Sequence, residues 1–482
     1  MKLTQPHPTR YERAGLRSAF RRGAVWPPDV IWRADSPIRV PWQVSGFGDG
    51  ERFPIGIRVY QVWRFSAVIV TIPYRCVSRL LANTGSPDRR GGTAWEVDGM
   101  GSKIVIVGGG IGGLTAAVAL ARMGLAADVY EQAPALEEVG AGVGLWPNAM
   151  AALEPIGLSG KVAQLAAPVS RQGLMRPDGT WLLCIPGDLM ARRWGSGFVA
   201  VHRAELQQLL AAELDPAVIH LGARCTGFDD SGQTVTARFA DGREVRADVL
   251  IAADGVHSAV RARLLGPAPL RYRGYTAVRS ITPAGSVPLP RDSMEIWGQG
   301  ARFGLAPTSG GRIIWWATWN AAAGKHDSDT AARLRTLFGA WHDPVPAIIA
   351  ATPPGTLIRN DIYDRRPARA WARGRVALVG DAVHPMTPDL AQGACQAIVD
   401  ATTLAGYLAA SRDTRAALQA YQKRRRRNAA TTTLISRAVG AMGQWKGPLT
   451  CAARDTLMRA TPLPLQLRQL DLILDAGQAA SR

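Results

Sequence analysis

The stretch KIVIVGGGIGGLTAAVALARMGLAADVYEQ, Lys103 to Gln132, limits the possible folds more than any other part of the chain. Lys103–Val107 is a short apolar run rich in Ile and Val, the pattern of a strand buried on both faces of a parallel sheet. Gly108, Gly110 and Gly113 follow in Gly-x-Gly-x-x-Gly spacing. An Ala/Leu-rich helical pattern then runs from Leu114 to Met123, and Gly124 ends it. A second strand closes at Tyr130, with Glu131 at its end. Strand, glycine turn, helix and terminal acid make a dinucleotide-binding unit. The glycines let the backbone turn tightly against a pyrophosphate, and the helix N-terminus offers that anion free N–H groups and a positive dipole end. Glu131 suits ribose hydroxyls and would repel a 2′-phosphate.

Two later segments bear on which dinucleotide is held. ADVLIAADGVHSAVRARLLG runs from Ala247 to Gly266, and GRVALVGDAVHPMTPDLAQGACQAIVDATTLA from Gly374 to Ala405. Each opens with an apolar strand, stops at a turn carrying an Asp and a Gly, and continues as a helical pattern. A strand-end Asp can accept a polyol hydroxyl while the adjacent Gly brings backbone close to a ligand. The helix that starts near the Pro388–Gly393 loop points its N-terminus where it would stabilise negative charge on a ring system.

The order of these three segments resembles the single-component FAD-dependent aromatic hydroxylases, the p-hydroxybenzoate hydroxylase-like class, and within it the salicylate, 6-hydroxynicotinate and urate hydroxylase branch. EVGAGVGLWPNAM and VHRAELQQLL resemble that branch too, and the resemblance spans Lys103 to the C-terminus. It implies that Gly108, Gly110, Gly113 and Glu131 hold the ADP half of FAD and that Arg203 reaches the cofactor. Asp254 then belongs to a motif serving both FAD and visiting NADH or NADPH. Asp381 binds the ribityl chain, and Pro385 and Gly393 border the isoalloxazine ring. Two positions depart from the family pattern: Ala391 stands where Gly is usual, and Val399 where Glu is usual.

The fold expected is α/β: a discontinuous Rossmann-like FAD-binding domain, an antiparallel-sheet substrate domain and C-terminal helices. The FAD-binding parts are 100–200 (with an excursion into the substrate domain at about 170–200), 201–270 and 369–410. The substrate domain is 271–368, with strands in SMEIWG, RFGLAPT and GRIIWWATW, and 411–482 is helical. An Asp241-Gly242 turn marks a hairpin. Residues 1–99 carry no recognisable chemistry. Met100 stands just before the first strand, and Trp95-Glu96-Val97 can encode a ribosome-binding sequence upstream of it. Residues 1–99 therefore read as upstream sequence translated in frame, or as a disordered extension.

Composition narrows the partners. The 482 residues are 47% hydrophobic and include five scattered cysteines with no CxxC spacing, which argues for a reducing cytoplasm and against a metal centre. No apolar run is long enough to insert in a membrane. The net charge of +19 comes from 57 basic and 38 acidic residues. Its one dense run, Lys423–Arg427, lacks interleaved aromatics and reads as a solvated helix face rather than a nucleic-acid site. The partners expected are O2 and a small aromatic or heteroaromatic substrate, bound by a monomer or homodimer.

With only one full dinucleotide fingerprint, the nicotinamide cofactor docks without a domain of its own. The resemblance implies hydroxylation through a C4a-hydroperoxyflavin, with the oxidising chemistry supplied by the cofactor. The protein must exclude water, place the ring and help deprotonate a phenol-like group. Tyr272 and Tyr275 are candidates for that base or relay, or else pack at a domain junction. Arg279 is a candidate for pairing with a substrate carboxylate, or is a surface Arg. His384 is a candidate base or a structural cap. Trp315, Trp316 and Trp319 wall an aromatic pocket or fill a core. A same-fold epoxidase or reductase acting on an alkene, and a non-catalytic FAD-binding protein, are the alternatives.

Overall fold

The computed structural model describes residues 103–136, 141–325 and 327–474. Residues 1–99, with the proposed start at Met100, lie outside them.

Ile104–Val107 is fully buried, as its β-branched composition requires. It pairs in parallel with Val249–Ala252 on one side and Ala127–Tyr130 on the other. These strands sit in a six-stranded sheet ordered Ala372–Arg373, Val376–Leu378, Val249–Ala252, Ile104–Val107, Ala127–Tyr130, Ile219–His220. Helix Ile111–Arg122 packs against helix Gly393–Ala410. Small residues set that approach: a Cβ on Gly112 would lie 3.3 Å from the Ala397 methyl. The Asp241-Gly242 turn joins Val235–Phe239 to Glu244–Ala247 as an antiparallel hairpin.

A seven-stranded sheet forms the second layer, ordered Ile358–Asp364, Arg271–Thr282, Ile313–Asn320, Ala301–Pro307, Ser293–Trp297, Arg171–Met175, Trp181–Pro186. It is not wholly antiparallel, because Ser293–Trp297 runs parallel to Arg171–Met175. The last two strands arrive from an earlier segment, so no hairpin dictates their direction. Strand alternation divides the sheet into two faces. Val278, Phe303, Leu305, Trp315 and Trp319 face outward into a core shared with helices Thr330–Phe338 and Val345–Ala351. Tyr275, Arg279, Arg302, Ile314 and Trp316 point the other way, where Tyr275 and Arg302 bond Asp389 of the 388–390 turn.

Helices Thr414–Gly443, Pro448–Ala460 and Leu463–Leu474 end the described chain, with breaks at the Gly447-Pro448 and Pro462–Pro464 prolines. The basic run is a correction to the sequence expectation. Arg425 is buried and ion-paired to Asp400, and Arg426 donates to the Arg369 carbonyl, so only part of the run faces solvent.

Candidate active site

Three loops converge at the carboxyl ends of adjacent parallel strands, the usual ligand position in such sheets. Gly108 holds φ +104°, and a side chain there would lie 2.4 Å from the Ala253 carbonyl oxygen. A Cβ on Gly113 would fall 1.9 Å from the Gly108 carbonyl oxygen. A Cβ on Gly110, the residue preceding helix Ile111–Arg122, would meet nothing within 4 Å. That helix start has no side-chain cap, so its free N–H groups face open space. Glu131 is braced in the turn, accepting from the Gly109 N–H at 2.5 Å and the Ala133 N–H at 2.9 Å. Each carboxylate oxygen retains a second lone pair for a ribose hydroxyl. Gln207, which the sequence did not flag, donates to the Gly109 carbonyl at 2.8 Å.

The second loop carries Asp254. Its Oδ2 accepts from the Val260 N–H at 3.3 Å, and burial raises its carboxyl above the usual range. Its Oδ1 is buried with no partner, an acceptor awaiting a donor. Arg261 and Arg365 lie near this loop and within electrostatic reach of each other. Arg365 donates to the Val256 and Ala268 carbonyls. Arg261 is 7% exposed, and burial lowers its guanidinium. Neither makes a carboxylate ion pair among the described residues.

The third loop follows Val376–Leu378. Asp381 is exposed on the turn, yet the surrounding protein raises its carboxyl, opposed by His384 and Arg203. Pro385 is buried and its carbonyl accepts from the Arg365 N–H at 3.3 Å. Helix Gly393–Ala410 begins without a side-chain cap, and the space beside Gly393 is open. Ala391 adopts φ +49°, the only non-glycine positive φ among the described residues. Val399 is buried.

His384 is 1% exposed, and its Nε2 lies 2.5 Å from Asp400 Oδ2. Asp400 also accepts from Arg425 Nε at 2.7 Å and the Gly380 N–H at 3.1 Å. The ring thus bonds Asp400 of helix Gly393–Ala410, and Asp400 in turn links the Gly380 turn to helix Thr414–Gly443. Burial pushes the Cys395 thiol up to about 12. Among the described residues no His/Cys/Asp/Glu group is placed to hold a metal.

On the inner face of the seven-stranded sheet, Tyr275 is buried and its hydroxyl donates to Asp389 Oδ2 at 2.7 Å. Arg302 is 1% exposed and pairs with Asp389 and, at 3.2 Å, with Glu295. Burial, more than the opposing pull of Arg302, sets the Glu295 carboxyl above its usual range. Helix Thr414–Gly443 makes room for this cluster with glycines: a Cβ on Gly440 would sit 2.2 Å from Asp389 Oδ2, and one on Gly443 2.8 Å from Arg302 Cδ. Tyr272 is elsewhere, donating to the Ala321 carbonyl at 2.7 Å and lying beside Tyr363 at the sheet edge. Arg279 is exposed, bonds Asn360 Oδ1 at 2.7 Å, and is lowered by its surroundings and by Arg203. Arg203 is thus within electrostatic reach of both Arg279 and Asp381.

The arrangement fits a flavin dinucleotide on three counts. Two helix N-termini are uncapped and open. Asp254 Oδ1, Gln392 Nε2 and Trp146 Nε1 are buried without partners at the loops or beside them. The substrate sheet is fastened to the turn that precedes Gly393. Sequence reasoning missed Asp389, Glu295 and Arg302. A lone Arg inside the apolar strand RFGLAPT was the available signal, since such a residue is rarely buried unpaired.

Comparison with known proteins agrees with this geometry. A family model described as "FAD binding domain" matches residues 102–435. The aurachin C monooxygenase/isomerase of Stigmatella aurantiaca is 40% identical over 361 residues, covering 74% of this chain and 94% of the relative. The FAD-dependent urate hydroxylase of Klebsiella pneumoniae is 36% identical over 328 residues, covering 67% of this chain and 85% of the relative. A crystal structure of Klebsiella pneumoniae HpxO with FAD and uric acid superposes with a TM-score of 0.72 at 31% identity, covering 78% of this chain and 97% of that one.

Proposed function

This chain belongs to the FAD-dependent aromatic hydroxylase family, and on that premise we propose that it uses NADH or NADPH and O2 to hydroxylate an electron-rich aromatic or heteroaromatic ring. FAD, when bound, supplies the hydride acceptor and the oxygen-activating centre. The chain's own residues bind, orient and shield.

Gly108, Gly110 and Gly113 admit the pyrophosphate to the Ile111–Arg122 helix N-terminus. Glu131 orients the adenosine ribose. Asp381 takes ribityl hydroxyls, and Arg203 offsets phosphate charge. The uncapped N-terminus of helix Gly393–Ala410 would stabilise negative charge on a reduced flavin held beside it. Arg261 and Arg365, two cations without carboxylates beside the Asp254 loop, suit the phosphates of a transient nicotinamide dinucleotide. Tyr275 acts through Asp389 as a positioning residue, Arg279 faces the substrate, and Tyr272 packs beside Tyr363 at the sheet edge.

The observation that carries the reading is the double link from Asp389 to Tyr275 and Arg302. It fixes the inner face of the substrate sheet to the loop that borders the flavin, so that a ring held by the sheet stays at the flavin edge and out of water. The test is NAD(P)H oxidation and O2 uptake against hydroxylated aromatic and heteroaromatic acids, purines and quinolones. One compound should stimulate both and yield a product one oxygen heavier. Bound flavin that no compound makes reducible by NAD(P)H would overturn the proposal.

A further inference from the structure

Register across the seven-stranded sheet puts Ile358, Arg279, Trp316, Gly304, Glu295, Leu174 and Leu183 in one row on the inner face. Trp316 is the one residue of Ile313–Trp319 that is not buried. Its indole fills the space over Gly304, where a Cβ would fall 2.0 Å from Trp316 Cε2. Gly304 therefore lets a large ring lie low on a central strand. Arg279 is its direct cross-strand neighbour on one side. The next row along the same face is Ile281, Ile314 and Ala306, wholly apolar. Ile281 and Ile314 join Phe198, Trp146 and Leu390 in one apolar cluster, and Leu390 lies in the loop that precedes Gly393.

We propose that Trp316 is the platform on which the substrate ring stacks, with Arg279 at one edge taking an anionic group and Ile281 and Leu390, the half-buried members of that apolar cluster, taking an apolar substituent. The substrate class is then an anionic aromatic or heteroaromatic ring with an apolar substituent, rather than a compact polar ring. The assignment deepens the hydroxylase reading and rests on it for the orientation of this face toward the flavin. The chemistry follows from the lining. An indole favours an offset-stacked ring. A guanidinium favours a carboxylate or phenolate. A wall without hydrogen-bonding groups favours alkyl surface and leaves a purine's extra polar atoms unpaired.

The experiment is a binding titration of the FAD-loaded full chain, read by flavin fluorescence, with four probes: 1-hydroxy-2-naphthoate, its 4-butyl derivative, 1-naphthol and urate. The butyl probe should bind best and urate at least about tenfold more weakly. Trp316→Ala should weaken the three naphthalene probes about tenfold, and Trp316→Phe should restore most of that. Arg279→Gln should weaken the two carboxylates and leave 1-naphthol unchanged. Ile281→Asn should abolish the gain from the butyl group. Naphthalene probes that fail to bind, urate binding as tightly as they do, or binding indifferent to Trp316→Ala would each overturn the assignment. Thermal melting and flavin content of each variant separate misfolding from lost binding. NADH-driven O2 uptake is measured in parallel. Binding as expected with no uptake would sink the hydroxylase reading alone, and uptake with a platform-independent substrate would sink the platform alone.

Discussion

A methyl group at position 113 has nowhere to go, since it would sit 1.9 Å from a backbone oxygen of the turn it must support. Gly113→Ala should therefore lose at least about tenfold in FAD affinity, about 1.4 kcal/mol. Titrating the apoprotein with FAD checks this, and wild-type affinity would show that the turn tolerates the shift. Ala391 presents the opposite case, a side chain present where the backbone prefers none. Its φ of +49° favours glycine, so Ala391→Gly should raise stability by about 0.5–1 kcal/mol in thermal melts. These positions were legible in the sequence because glycine spacing and strand-end acids are local signals. Arg302 and Asp389 were not, since their meaning depends on a strand and a turn distant in the chain meeting across two layers. His384 was ambiguous for the same reason: its partner Asp400 lies on the next helix.

Between elements, the Arg302 cluster joins two strands, a turn and a helix. One guanidinium faces two carboxylates, and Glu295 is the one raised by burial and by Asp389. Glu295→Gln should shift stability by less than about 1 kcal/mol. In Asp389→Asn, Glu295 remains as a counterion to Arg302. The double variant leaves Arg302 buried without a carboxylate and should lose about 3–5 kcal/mol, more than the single losses combined. Urea unfolding of the FAD-loaded variants measures the coupling, and additive losses would count against it. The sheet's strands were readable from segments bounded by Gly or Pro, but which of Trp315, Trp316 and Trp319 enters the core was left open. The parallel pairing of Ser293–Trp297 with Arg171–Met175 was not, because nothing local sets the direction of a strand returning from another segment.

At the scale of the whole molecule, Asp400 ties the Gly380 turn to helices Gly393–Ala410 and Thr414–Gly443. Burial alone would raise its carboxyl, but His384 and Arg425 together hold it below the ordinary value. A depressed carboxylate contributes stability above its unfolded value of about 4, and that contribution is lost as pH falls through the folded value. Flavin retention and melting temperature should accordingly fall together below about pH 4. Asp400→Asn should flatten that acid limb while lowering stability at pH 7. An unchanged acid limb would assign the effect to other groups.

The parallel pairings have one more consequence. Ile104 lies beside Val249, and Leu250 beside Val376. As the chain leaves the ribosome, every strand of the substrate sheet emerges before the strand that leads to Asp381. From the emergence of Ala252 until Val376 follows, the nucleotide sheet has an open edge at Val249–Ala252, an apolar run of the kind chaperones cover. Flavin supply in the cell would then govern how many finished chains are captured in the native state, and so enzyme yield as well as enzyme activity.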